Sequence, residues 1–286
     1  MNAMRLTGSA PSLRQHTITA PVPAWRHPSH VVLETCVEDV EGVRISARAG
    51  ADRAELGANL TAAGTTPSIG TIEAAIFAAA EQVEQRRVQA GAHWAEKPEA
   101  AAPFGLRILI RPRGGSFVYN ADEGRAMIAD VRRIATLALE MAEFTRPQAT
   151  GGGRTTLPPA VDLGFVVGAL TEDGTIDRGL VRLLVDMANG APVTFHRAFD
   201  QCRDTVEAYG DLEGLGVRYV LTSGAAQTAA DGASVIAGLV ASGGPTVVAA
   251  GAVRPDGLVD LVESTGVREV HMRCPREGLT PDEPQR

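Results

Sequence analysis

Gly50-Ala-Asp-Arg-Ala-Glu-Leu56, Gly216-Val-Arg-Tyr-Val-Leu221 and Gly266-Val-Arg-Glu-Val-His271 share one grammar. In each, an amphipathic stretch stops at glycine, which closes a helix cheaply in the left-handed conformation. One small or apolar residue and two mostly polar ones follow, and then a short strand opens. A helix that stops on glycine and feeds a buried strand is the αβ half of a repeating βα unit. Working outward, the same reading predicts eight strands: 31–37, 53–56, 106–110, 161–168, 192–196, 219–222, 246–250 and 269–272. Seven helical patterns separate them, including an Ala-rich one from Ser68 to about Gln89 and a long one over 120–144 capped by Asn120 or Asp122. Eight strands with intervening helices predict a TIM-like (β/α)8 barrel. No Gly-x-Gly-x-x-Gly follows the first strand, which counts against a dinucleotide-binding open sheet.

The barrel is expected over 31–274, with insertions near 91–104 and 146–159. A Pro-, Ser-, Thr- and His-rich arm covers 1–30, and an irregular tail covers 275–286. No helical pattern follows the eighth strand, so the last helix of the barrel is expected to be missing. The outer flanks of strands 1 and 8 would then be bare, which favours burial against a second copy and predicts a homodimer.

Composition excludes several function classes. The net charge of −7 is the wrong sign for a general grip on nucleic acid. No apolar run approaches the roughly 18 residues of a membrane span, and the first 30 residues lack the apolar core of a secretory signal. Three scattered cysteines, Cys36, Cys202 and Cys274, make no disulfide framework. These features predict a cytoplasmic protein. Lys97, the single lysine, lies in the polar stretch 94–100, so no lysine is placed to form a Schiff base inside the barrel.

In such barrels chemistry gathers at the carboxyl ends of the strands. Alternation puts Glu34 and Cys36 on one face of strand 1, with Glu55 at the end of strand 2, His196 ending strand 5 and His271 on strand 8. Glu34, Glu55 and His196 are the candidates for acid–base catalysis. Asp200, four residues after His196, is expected to orient its ring or cap the next helix. Arg111-Pro-Arg-Gly-Gly115 sets two guanidiniums beside a glycine pair; Arg111, Arg113, Gly114 and Gly115 suit a carboxylate or phosphate. Ser223 and Gly224 after strand 6, with Ala250-Gly-Ala252 after strand 7, offer an anion nest, and His271 lines the same rim. Cys36 is the metal-ligand candidate. A buried ion-pair network holding the mouth together would use the same residue types.

Read together, several phrases resemble the CutC copper-homeostasis family. They are Gly50–Leu56, Gly64-Thr-Thr-Pro-Ser-Ile-Gly70, Ile110-Arg-Pro-Arg-Gly-Gly115, Gly168-Ala-Leu-Thr-Glu-Asp-Gly174, Val193-Thr-Phe-His-Arg-Ala-Phe-Asp200 and Val220-Leu-Thr-Ser-Gly224. The resemblance implies a TIM-like barrel in the cytoplasm, linked to control of intracellular copper. It also implies a cysteine at the end of strand 2 opposite the one on strand 1, a thiolate pair suited to Cu(I). Here Cys36 keeps the first position and Gly57 takes the second, so weak or absent Cu(I) binding is expected. Two further readings stand beside this one. One is a metal-independent enzyme in which Glu34 or Glu55, His196 and the two arginines act on a small anionic substrate. The other is a silent ligand-binding or scaffold barrel.

Overall fold

The computed structural model describes residues 30–145 and 159–273. Eight parallel strands close on themselves in sequence order, β1 pairing with both β2 and β8. They are β1 (Val32–Val37), β2 (Arg53–Leu56), β3 (Phe104–Leu109), β4 (Val161–Val167), β5 (Val193–Phe195), β6 (Tyr219–Thr222), β7 (Thr246–Ala249) and β8 (Glu269–Arg273). The helices are α1 (Val40–Arg48), α2 (Ile69–Ala90), α3 (Pro98–Ala101), α4 (Ala121–Phe144), α5 (Arg178–Met187), α6 (Thr205–Gly214), α7 (Ala233–Ser242) and α8 (Leu258–Thr265). The expected barrel is present. Closure removes every sheet edge, and right-handed βα crossovers put the helices outside.

Local chemistry explains the helix ends. Asp39, Ser68, Asp177 and Asp204 cap α1, α2, α5 and α6 by accepting from backbone amides of the first turn. Asn120 and Glu123 form a reciprocal capping box at α4. Gly50, Gly216 and Gly266, the glycines of the recurrent phrase, all have positive φ, as the helix-closing argument requires.

Most strand ends fall within one residue of the sequence reading, and two differences are larger. Residues 94–101 fold into a 3-10 turn and the short α3, and β3 begins at Phe104 rather than Leu106. The Phe104 amide donates to Ala160 O at 2.9 Å, so pairing with β4 recruits Phe104, which composition assigns to the insertion, and Gly105 beside it. Lys97 is exposed, as expected. The arm before His30, the 146–158 segment, Cys274 and the tail lie outside the described residues. The flanks of β1 and β8 are less bare than expected: Val270 is buried and Leu33 and Met272 are half-buried.

Strand facing follows from contacts. Thr35 Oγ1 donates to Ser46 Oγ on α1 at 2.8 Å, so Thr35 faces the helices and Glu34 and Cys36 face the barrel axis. By the same alternation Arg53 and Glu55, Gly105 and Arg107, Gly164 and Gly168, Tyr219, and Glu269 and His271 face inward. Ala54, Leu106, Ile108, Phe165 and Val193 pack outward in the apolar layer under the helices. The barrel interior is therefore strongly polar on the β8–β1–β2–β3 side and apolar on the other, where Leu221, Val248 and Ala250 meet.

Long charged side chains fit inside because glycines vacate the facing positions. A Cβ at Gly105 would stand 2.5 Å from Arg53 Cγ, and one at Gly164 2.9 Å from Arg107 Cδ. Because Arg53 is pinned at its far end, its stem cannot swing aside. Gly105→Ala is therefore expected to cost about 1–3 kcal/mol through overpacking, read as a lower urea midpoint with an unchanged slope; a variant as stable as the wild type would show that the interior can repack.

Candidate functional site

Glu34 is the centre of the interior. Its Oε2 accepts from Arg53 Nε at 2.6 Å and its Oε1 lies 2.8 Å from His271 Nδ1. Arg53 also pairs with Glu269 at 2.6 Å and lies over the Tyr219 ring at 4.8 Å. Arg107 donates to the Asp162 carbonyl at 2.7 Å and its carboxylate at 2.9 Å. A network thus runs from the amino end of the barrel to its mouth, as the ion-pair reading anticipated. Arg53, Arg107 and Glu269 were not singled out from the sequence. The signal was available, since each is two residues from a chosen or glycine position on the same strand face.

Electrostatics separates the two glutamates. Burial alone would raise Glu34, but Arg53 and the His271 hydrogen bond outweigh it and hold the carboxyl down at about 2. Glu55 has no such partner. Burial, reinforced by the Glu34 charge against the opposing pull of His271, pushes it up to about 7. Burial would lower His271, yet hydrogen bonds to Cys36 and Glu34 and the two carboxylate charges raise it well above its ordinary value. Glu34, Glu55 and His271 each offer a ligand atom within 4.8 Å of the others. Cys36, partly accessible, completes the group at the mouth.

Arg111 and His196 belong to a neighbouring group. Arg111 Nη1 donates to the carbonyls of Ala63 at 2.8 Å and Gly64 at 3.0 Å, and Nη2 to Gly115 at 2.7 Å. Arg113 is held by Glu123 at 2.5 Å and donates to the carbonyls of Gly114, Ser116 and Val118. The two arginines knit the β3 loop to itself and to the loop after β2. The donors that a carboxylate or phosphate would need are spent on carbonyls, and Arg111 Nε is the one nitrogen of the pair that is buried without a partner. Gly114 serves closeness, since a Cβ there would stand 3.2 Å from Ala62 O.

His196 also departs from expectation. Its ring packs at a tilt against Phe117, with centroids 4.8 Å apart, and fills the space left by Gly168. Its Nδ1 accepts from the Ala198 amide at 3.1 Å, which places the neutral ring's proton on Nε2, an atom buried without a partner. Burial and the Arg111 charge lower its pKa to about 3, so at neutral pH it has no acidic proton to give.

The loop after β6 is an anion nest, but its anion is internal. The Asp200 carboxylate accepts from the Ser223 and Ala225 amides at 3.1 Å, from Thr222 Oγ1 at 2.5 Å and from Ser223 Oγ at 3.0 Å. Arg197 adds a 2.8 Å ion pair. Asp200 therefore neither orients His196 nor caps the next helix; Asp204 does the capping. Ser223 and Gly224 are committed to that carboxylate and to the turn, where Gly224 has φ +71.

Glu55 gives a pH test. A folded pKa above the unfolded one contributes stability at low pH that is lost as pH rises from about 4.5 through 7. Glu55→Gln is expected to melt close to the wild type at pH 5 and to be more stable at pH 8 by about 1–3 kcal/mol. Equal pH profiles for the two proteins would mean that Glu55 ionises freely.

Comparison with known proteins agrees with this architecture. The CutC family model matches residues 31–146 and 159–275. A curated CutC family protein of Mesorhizobium japonicum is 33% identical over 242 residues, covering 84% of this chain and 76% of that protein. The human copper homeostasis protein cutC homolog is 34% identical, covering 84% of this chain and 72% of its own length. A solved CutC structure from Streptococcus agalactiae superposes with a TM-score of 0.62 at 27% identity, over 85% of this chain and 98% of that one. A barrel matched along nearly all of its described length, with its mouth residues inside the matched span, belongs to the CutC family.

Proposed function

We propose that this chain is an intracellular copper-homeostasis protein whose working site is the carboxyl mouth of the barrel, where Cys36, His271, Glu34 and Glu55 meet a ligand. One observation carries the reading: a partly accessible thiol sits beside an imidazole and above buried carboxylates, at the end of the barrel where such folds place their ligands. Cys202, the other cysteine among the described residues, is held away from such work. Burial and nearby Asp200 raise its thiol to about 12. No helix among the described residues is long and apolar enough to cross a membrane. The acid–base enzyme is not favoured, because His196 is a neutral imidazole at neutral pH and has no acidic proton to give, and the arginine donors are already engaged.

The site is poorly matched to Cu(I). That ion prefers two or three soft sulfur ligands, and among the described residues Cys36 has no thiol opposite it. A Cβ at Gly57 would face Leu109 and Leu60 at 3.2 and 3.3 Å, so the position is apolar as well as bare. A homodimer forms part of the proposal. No helix follows β8 among the described residues, so Leu33 and Met272 on the β8–β1 flank, though packed against the core, stay partly exposed.

Cells lacking the protein are expected to tolerate copper differently, with tolerance restored by the wild-type chain; unchanged tolerance would remove the proposal. In a competition titration against a chromophoric Cu(I) chelator, the protein should bind weakly or not at all. One-to-one sub-picomolar binding, lost in Cys36→Ser, would overturn the weak-binding expectation. Sedimentation at micromolar concentration should show a dimer, and a monomer would count against the seam argument.

A further inference from the structure

The donors that converge most closely at the mouth are oxygen and nitrogen rather than sulfur. Glu34 Oε1 is 2.8 Å from His271 Nδ1, and Glu55 Oε2 is 3.9 Å from the same nitrogen. All three side chains come from neighbouring strands, β1, β2 and β8, whose pairing brings Glu34 opposite His271 and Cys36 opposite Glu55. Their positions are fixed by the barrel itself and not by loops.

Two features make this more than an acidic patch. Glu55 is only 7% exposed, yet its Oε2 accepts no hydrogen bond from the described residues, His271 at 3.9 Å being too far for one. A buried carboxylate oxygen left without a donor is costly in an otherwise well-partnered interior. Glu34, in contrast, is braced from behind: Arg53 Nε holds Oε2 at 2.6 Å while Oε1 points to His271. Bracing of one carboxylate oxygen while the other faces a shared centre is the arrangement that orients a metal ligand. Arg53 does not flood the centre with positive charge, since Glu269 pairs with it at 2.6 Å.

We propose that Glu34, Glu55 and His271 form a binding site for a divalent first-row cation, with positions left open toward the mouth for water or a small ligand. Two carboxylates balance the ion's charge, and one imidazole with two oxygens is a donor set for Zn(II), Co(II), Mn(II) or Cu(II) rather than for Cu(I). Neighbouring ligands bonded at roughly 2.0–2.2 Å are separated by about 3 Å. The Glu34–His271 distance already meets that spacing, and Glu55, 3.9 Å from His271 and within 4.8 Å of Glu34, needs to close by roughly one to two ångströms. The ion takes the place of the proton shared between His271 and Glu34 and supplies the partner that Glu55 lacks. Cys36, next to His271, lies beside this set and outside it. The inference rests on the reading of the mouth as the working site and specifies the class of ligand it takes.

The test uses the full chain, stripped with chelator and then titrated with Zn(II) and Co(II) salts. Stoichiometry is read by elemental analysis and the Co(II) environment by its visible absorption. One equivalent per chain is expected, with an oxygen- and nitrogen-type Co(II) spectrum free of thiolate charge transfer. Glu55→Gln, which keeps the side chain's shape, and His271→Gln should each weaken binding by about tenfold to a hundredfold or more, with a wild-type circular dichroism spectrum as the control for folding. Cys202→Ser, a cysteine away from the mouth, should bind like the wild type. No binding by the wild type overturns the site. So does binding retained in both Glu55→Gln and His271→Gln, which would place the ion elsewhere, for example on His16, His27 or Cys274. Loss of binding in Cys36→Ser overturns the oxygen–nitrogen set and makes the thiol a ligand. Copper tolerance in cells is a separate readout, so failure of this site and failure of the copper proposal are told apart.

Discussion

The ion pair between Glu34 and Arg53, closed at 2.6 Å inside the barrel, is the contact on which the rest of the interior depends. Both side chains are almost fully buried. Ions withdrawn from water cost several kcal/mol each unless charge and hydrogen bonds are matched, so neither survives there alone. Arg53 takes Glu34 on one side and Glu269 on the other, with the Tyr219 ring along its plane. That arrangement needs room inside a structure normally filled by branched apolar side chains. The room comes from Gly105 and Gly164 on strands β3 and β4, which face the arginine stems of Arg53 and Arg107.

The same pair decides the chemistry above it. With Arg53 spent on Glu34 and Glu269, Glu55 is left in a buried place with no donor, and the two carboxylates separate in character. One is a fixed anion. The other is poised to take a proton or a cation near neutral pH. His271 bridges them and reaches Cys36, so four side chains from three adjacent strands act as one electrostatic unit. Such a unit is stiff, because each member is anchored to strand backbone within a closed barrel.

Polar side chains at the loop level do a different task. Arg111, Arg113 and Asp200 look like ligand-binding groups by residue type, yet they satisfy backbone carbonyls and amides of the loops around them. Loops at the carboxyl face carry many unpaired backbone groups, and a forked guanidinium or a carboxylate in a nest satisfies several at once. The mouth therefore has a rigid rim. Its free valences lie deeper, at Glu55 and at the buried nitrogens of Arg111 and His196.

The local pattern of residues yields the βα repeat, the eight strands in order, the helix-closing glycines and the inward set Glu34, Cys36, Glu55 and His271. These follow from local rules: glycine's access to positive φ, the two-residue alternation of a strand, and the placement of strand ends in a barrel. It also carried the family resemblance through its phrases. What each polar group bonds is set by its neighbours in the folded barrel. Nothing in Arg111-Pro-Arg tells whether the forks meet a ligand or the carbonyls of residues some 47 positions away. Nothing near Asp200 reveals that its partners lie in a loop 23 residues on. Nor does the spacing of Glu34 and His271, 237 residues apart, announce a 2.8 Å contact. Hydrogen bonds and burial depend on through-space neighbours, and closing β8 onto β1 is what makes neighbours of the two ends of the chain.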